Sequence, residues 1–260
     1  MSETLQTVLL GIIEGLTEFL PVSSTGHLLI AEHWLGARSE LFNVAIQAGA
    51  ILAVVLIYWR RLRDLLLRFR EPDNRDYLAK LALAFGVTVI GGLVAKKLGL
   101  ALPETVLPVA LALIIGGVAI LLIEWHVGGR APAGSVTWNA AFWVGVAQIL
   151  AAVFPGTSRS AATIFAAMLA GVTLRPAATE FAFLLGIPTM FAATGYEFLK
   201  LRGTDPALVD WNAIAIGFAV SAIVAFAAVK WLLRYVQAHR FTLFAWYRIA
   251  VGLFLVFAVR

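Results

Sequence analysis

The chain has 260 residues, of which 61% are hydrophobic and only 13% charged, about half the ~25% charge of an average soluble domain. Its apolar residues gather into runs of about 20, the length that crosses a ~30 Å hydrocarbon core as helix, which excludes a soluble enzyme, a disordered protein and a nucleic-acid module. The net charge of +5 then marks loops and orientation rather than DNA binding, and the lack of cysteine excludes disulfides and thiolate chemistry.

The first apolar region, about 5–35, is broken near its centre by Pro21 and the polar cluster Ser23-Ser-Thr-Gly-His27. Each half is too short to span alone, so the region is expected to form a re-entrant helix pair; Glu14 and Glu18 within it also argue against a signal peptide. Uninterrupted spans follow at about 41–59, 78–98 and 105–124. A second broken region, about 137–171, carries Pro155-Gly-Thr-Ser-Arg-Ser160, and spans follow again at about 177–199, 211–233 and 241–259. The linkers near 70–77 and 125–137 are short, so one integral membrane domain over 1–260 is expected.

Sliding the chain by 134 residues aligns Gly11 with Gly145, Leu16 with Leu150, Pro21 with Pro155, Ser24 with Ser158, Ile30 with Ile164 and Leu35 with Leu169. Each half, about 1–130 and 131–260, reads as a broken pair followed by three spans. An odd number of spans inverts the second half. The predicted fold is therefore an all-α polytopic membrane protein with six transmembrane helices and two re-entrant pairs in an inverted-topology repeat, its site where the broken pairs meet. Twelve basic residues then fall at one end, seven of them from Arg60 to Lys80, against six at the other. The positive-inside rule makes the richer end cytoplasmic. Gly11-x-x-x-Gly15 and Gly116-Gly117 permit close helix approach, more naturally within the chain than in a homodimer, which stays possible.

Three pieces carry chemistry. Glu14 and Glu18, at i and i+4, share a helix face with Thr7 and Gly11. Paired acids at bilayer depth repel unless they share a proton, meet an arginine or hold a cation. Magnesium or calcium suits such oxygen ligands; the plainer alternative is a shallow helix whose acids reach water. Ser23, Ser24, Thr25, Gly26 and His27 precede an apolar helix, where hydroxyls cap, free N–H groups suit a phosphate and a histidine moves protons near neutrality. Arg159 is the one basic residue between Arg130 and Arg175. It either clamps phosphate or neutralises Glu14 or Glu18, and Ser158, Ser160 and Thr163 stand around it. Together these form a kit for phosphoryl transfer. With no nucleotide-binding loop of the G-x-x-x-x-G-K-[ST] type, a lipid phosphate suits the kit better than ATP. A membrane transporter for a lipid phosphate is the rival reading, since inverted repeats also build transporters.

Over nearly its whole length the chain resembles the undecaprenyl-diphosphatase family. The likeness is carried by Glu14-Gly-Leu-Thr-Glu-Phe-Leu-Pro-Val-Ser-Ser-Thr-Gly-His27, Ala45-Ile-Gln-Ala-Gly-Ala-Ile51, Tyr58-Trp-Arg-Arg61, Pro155-Gly-Thr-Ser-Arg-Ser160 with Thr163, and Phe183-Leu-Leu-Gly-Ile-Pro188. The resemblance implies a polyprenyl diphosphate lipid substrate, membrane-lipid surroundings, no nucleic acid, and a bacterial inner-membrane location with the site toward the outer face. It implies catalytic roles for Glu14, Glu18, Ser24, His27 and Arg159, and the paired acids Glu14 and Glu18 are themselves expected to hold the divalent cation. Ser23, Thr25, Gly26, Gln47, Ser158, Ser160 and Thr163 would bind substrate. Whether Ser24, His27 or water attacks stays open. The chain departs from the family at Ala161, where glycine is usual, and at Ala182, where serine is usual.

Overall fold

The computed structural model describes residues 1–100, 102–103, 105–200 and 209–258. Among these the chain forms eleven helices and no strand: α1 Glu3–Thr17, α2 Ser24–Leu35, α3 Glu40–Ile57, α4 Trp59–Leu67, α5 Pro72–Lys97, α6 Val106–Val127, α7 Trp138–Val153, α8 Arg159–Leu169, α9 Arg175–Lys200, α10 Trp211–Ala238 and α11 Thr242–Ala258. Five of them, α3, α5, α6, α9 and α10, are long and apolar enough to cross a membrane. Large apolar side chains such as Ile90, Leu93, Ile115, Leu122, Ile223 and Phe254 point outward. Exposed apolar surface on this scale belongs to a protein solvated by lipid, and the chain is a multi-pass membrane protein.

Five of the six expected spans take that form. The sixth, about 241–259, becomes α11, a shorter apolar helix. Both broken regions fold as two short helices around a loop, α1–α2 and α7–α8.

The basic segment after α3 is more ordered than a loop. Leu65 of α4 is buried against the bundle, and Arg61 reaches Glu180 of α9 at 3.3 Å. Arg68 bonds both Asp64 and Glu71. Proline at the first turn of α5, where its missing N–H costs nothing, starts that helix at Pro72, so most of the expected linker 70–77 is helical.

Glycine sets the closest helix contacts. A Cβ on Gly15 of α1 would lie 2.6 Å from the Ser221 carbonyl of α10, and one on Gly145 of α7 equally close to that of Ala84 in α5. Gly49 of α3 meets the Phe218 carbonyl of α10, and Gly117 of α6 that of Ala245 in α11. The glycine faces of α1 and α6 thus pack within the chain, as their sequence suggests. The pairing is crossed: α1 lies on α10 and α7 on α5, while α3 meets α9 and α6 meets α11.

At the basic end, Glu124 of α6 is buried. Arg175 of α9 grips it through two nitrogens, at 2.9 and 2.5 Å, and the Phe241 backbone N–H donates to it at 2.8 Å. The ion pair ties α6, α9 and the start of α11. A lone carboxylate there would be far more costly than this paired one.

Candidate functional site

The two interhelical loops meet at the centre of the bundle. The first, 18–23, ends at Ser23, whose φ is 75° and whose Oγ caps α2 by accepting from the Gly26 N–H at 3.3 Å. The second, 154–158, ends at Ser158, with φ 71°, which caps α8 by accepting from the Ala161 N–H at 3.2 Å. The capping reading therefore holds for Ser23, and Ser158 caps its helix in the same way. The loops bond directly, Ser160 Oγ donating to the Leu20 carbonyl at 3.0 Å. Thr163 donates back to the Arg159 carbonyl at 2.8 Å and holds the first turn of α8.

From this frame a chain of charge-assisted bonds crosses between the loops. Ser24 Oγ donates to Glu18 Oε2 at 2.5 Å, and Arg159 Nη2 donates to Glu18 Oε1 at 2.6 Å. Bonds of this kind are roughly twice as strong as neutral ones. Glu18 and Ser24 are both buried. Gly186 of α9 makes room for Arg159, because a Cβ there would collide with the guanidinium. Glu18, Ser24 and Arg159 line one cavity of about 240 Å³, together with Ser23, Thr25, Gln47, Ser158, Thr88 and Gln148.

Other expected residues lie elsewhere. Glu14 sits one turn below Glu18, fully buried, and neither carboxylate oxygen has a hydrogen-bond partner. Gly26, Ser160 and Thr163 serve the loop backbone rather than the cavity wall. His27 turns away: its Nδ1 contacts the Ser23 carbonyl at 2.7 Å and its Nε2 the Tyr247 hydroxyl at 2.7 Å, with the rings stacked. Since a carbonyl only accepts, Nδ1 carries the proton and Nε2 accepts from tyrosine.

One residue central to the frame has no place in the sequence reading. Arg248 of α11 is wholly buried. It donates to the carbonyls of Pro21 at 3.3 Å, Gly156 at 3.1 Å, Ala112 at 3.0 Å and Leu113 at 3.4 Å. It thus grips both loops and α6. The available signal was its charge inside the last apolar stretch. Gln148 stands 134 residues after Glu14, at its repeat position, and neither it nor Thr88 is among the expected site residues.

The donor set also fits a divalent cation. Both Glu14 oxygens are buried without a donor group, and beside Glu18 the paired acids must share a proton or hold a cation. Among the described residues no three His, Asp or Glu side chains cluster. A cation there would complete its shell with hydroxyl, water or phosphate oxygens, as magnesium commonly does.

A buried serine–carboxylate–arginine chain facing a polar cavity defines a membrane protein with a built polar site. The chain belongs to the family described as bacitracin resistance protein BacA, whose model matches residues 7–254. It is 63% identical over 253 residues to the undecaprenyl-diphosphatase of Rhizobium etli (strain CIAT 652), covering 97% of this chain and 96% of that protein. It is 58% identical to the Stenotrophomonas maltophilia (strain K279a) protein of that name, with the same coverage. A third undecaprenyl-diphosphatase, from Xanthomonas oryzae pv. oryzae (strain PXO99A), is 54% identical over 258 residues, again at 97% and 96% coverage.

Proposed function

We propose that this chain hydrolyses undecaprenyl diphosphate to undecaprenyl phosphate and inorganic phosphate, with Ser24 as nucleophile and Glu18 as its base. The observation that carries this is the Ser24–Glu18–Arg159 chain on the cavity wall. The relatives' name favours hydrolysis over transport of the lipid.

Ser24 Oγ attacks the terminal phosphorus and passes its proton to Glu18. The bridging oxygen leaves with undecaprenyl phosphate. Water then attacks the phosphoserine, and Ser24 recovers its proton from Glu18 as dihydrogen phosphate departs. Arg159 balances charge on the phosphate oxygens in both steps, and the N-terminus of α2 adds backbone N–H groups. Ser158 holds the start of α8, which carries Arg159. His27 braces the Ser23 carbonyl and so fixes the turn that aims Ser24. Glu14 and Glu18 would hold magnesium or calcium, which when bound draws charge from the diphosphate oxygens.

The protein is read as sitting in the bacterial inner membrane, with its basic end, Arg60–Lys80, inside and the cavity open toward the outer face. The positive-inside rule supports that orientation. The α1–α2 and α7–α8 units are read as re-entrant pairs of an inverted repeat with halves near 1–130 and 131–260. The crossed pairing of α1 with α10 and α7 with α5 supports this.

The test is phosphate release from undecaprenyl diphosphate by detergent-solubilised protein. Glu18→Gln removes the base and should cost roughly 10²–10⁴-fold in turnover. Arg159→Ala should cost on the order of 10²–10³-fold. Near-normal turnover in either variant would sink the proposal. A chelator should abolish activity, and added magnesium or calcium should restore it; full activity in chelator would remove the cation.

A further inference from the structure

Among the polar side chains of the cavity wall that the scheme above leaves unused, Gln148 carries a buried oxygen without a partner. Gln148 of α7 is 3% exposed and lines the same cavity as Ser24, Glu18 and Arg159. Its Nε2 lies 2.9 Å from Thr88 Oγ1. Its Oε1 is buried without a hydrogen-bond partner.

The surrounding bonds fix which way the amide points. Thr88 Oγ1 has one proton, and the Ala84 carbonyl at 2.8 Å and the Gly145 carbonyl at 3.2 Å compete for it. Carbonyls only accept, so Thr88 can offer Gln148 a lone pair and nothing else. Nε2 therefore faces Thr88, and Oε1 is left as a bare acceptor. Leaving such an atom unmatched is expensive, so it calls for a donor. An ionised diphosphate has acceptor oxygens only, which rules it out as the match. Water is the donor that the reaction must also bring in.

We propose that Gln148 Oε1 holds the water that hydrolyses the phosphoserine, and that Thr88 is the positioning residue that locks the amide. This rests on the Ser24 reading above. In the step, the water oxygen bonds to phosphorus as the bond from phosphorus to Ser24 Oγ breaks. Both water protons leave on dihydrogen phosphate, and Ser24 takes its proton from Glu18. Gln148 is neither protonated nor deprotonated; it orients the water, and orientation alone is worth large factors in rate.

The experiment follows one turnover of undecaprenyl diphosphate carrying ³²P in its terminal phosphate, using full-length protein in detergent, quenched in acid. Gln148→Met keeps the volume and removes the acceptor. It should release about one undecaprenyl phosphate per protein in a burst and retain the label on Ser24. Steady turnover should fall on the order of a hundredfold, with KM within about threefold. Thr88→Val should shift turnover the same way by a smaller factor. Should Gln148→Met not fold, Gln148→Asn and Thr88→Val carry the same test.

Wild-type turnover in the Gln148 variant overturns the proposal. So does a lost burst with raised KM, which makes Gln148 a substrate ligand. Ser24→Ala separates the two claims. If it abolishes turnover while Gln148→Met leaves it unchanged, the serine reading stands and the water assignment alone falls. If Ser24→Ala keeps turnover, the serine reading falls and takes this proposal with it.

Discussion

Arg248 carries a full charge in the protein interior and answers it with carbonyls from three segments. Hydrogen bonds to a charged group contribute about 1.5–3 kcal/mol each, and lysine cannot reproduce the planar fork that reaches several acceptors together. Arg248→Lys should therefore lower the thermal midpoint in detergent and reduce phosphate release at least tenfold, because Pro21 and Gly156 lose their common anchor. A variant with both properties unchanged would remove Arg248 from the frame. At this scale the sequence reveals acids, hydroxyls and Arg159, because charge inside an apolar run stands out. Arg248 had the same signature, yet its partners are backbone carbonyls, which leave no trace in residue types. Thr88 is one hydroxyl in an apolar span, and its meaning appears only when Gln148 arrives from 60 residues away.

Helix contacts are set by missing side chains. Gly15 lets α1 touch the α10 backbone, where the Ser221 carbonyl, the Ala225 N–H and Val224 Cβ leave no room for a larger residue. Gly15→Leu should cost at least the ~1–3 kcal/mol of core overpacking. Because Glu18 follows within one turn, activity should fall with the thermal midpoint. A midpoint within experimental error of the parent would show that α1 and α10 do not press together at Gly15. The proposed repeat was only partly legible at this scale. The buried stripe Thr7, Leu10, Gly11, Glu14 matches Ala141, Val144, Gly145, Gln148 at a spacing of 134. The positive-φ residues at the helix ends, Ser23 with Ser158 and Gly36 with Gly171, recur at 135. One residue enters between Gln148 and Ser158, so an ungapped alignment drifts out of register there. It pairs Ser24 with Ser158, whereas the helix starts pair Ser24 with Arg159.

Across the whole molecule, the orientation proposal has a direct check. The chain has no cysteine, so single cysteines can be placed without background. Arg63→Cys in α4 and Lys97→Cys at the end of α5 should react from opposite sides of intact cells with a membrane-impermeant maleimide. The Lys97 position should be labelled from outside and the Arg63 position only after lysis. The reverse pattern would invert the topology and turn the cavity inward. Five of the six expected spans were legible because ~20-residue apolar runs are a physical necessity in lipid. Which helices touch was not, since lipid-facing and core-facing apolar residues look alike in a sequence.

Ser23 and Ser158 both hold φ near +70°, a region comfortable for glycine and uncommon for serine. Conformations of this kind cost of order 1–3 kcal/mol each and persist where the surroundings over-determine them. Here the side-chain caps, the Arg248 anchor and the Ser160–Leu20 link do so. The expense is met once, at folding, rather than at every catalytic cycle. Both loops stand preorganised before any diphosphate arrives, and the bundle's stability is lower by that amount.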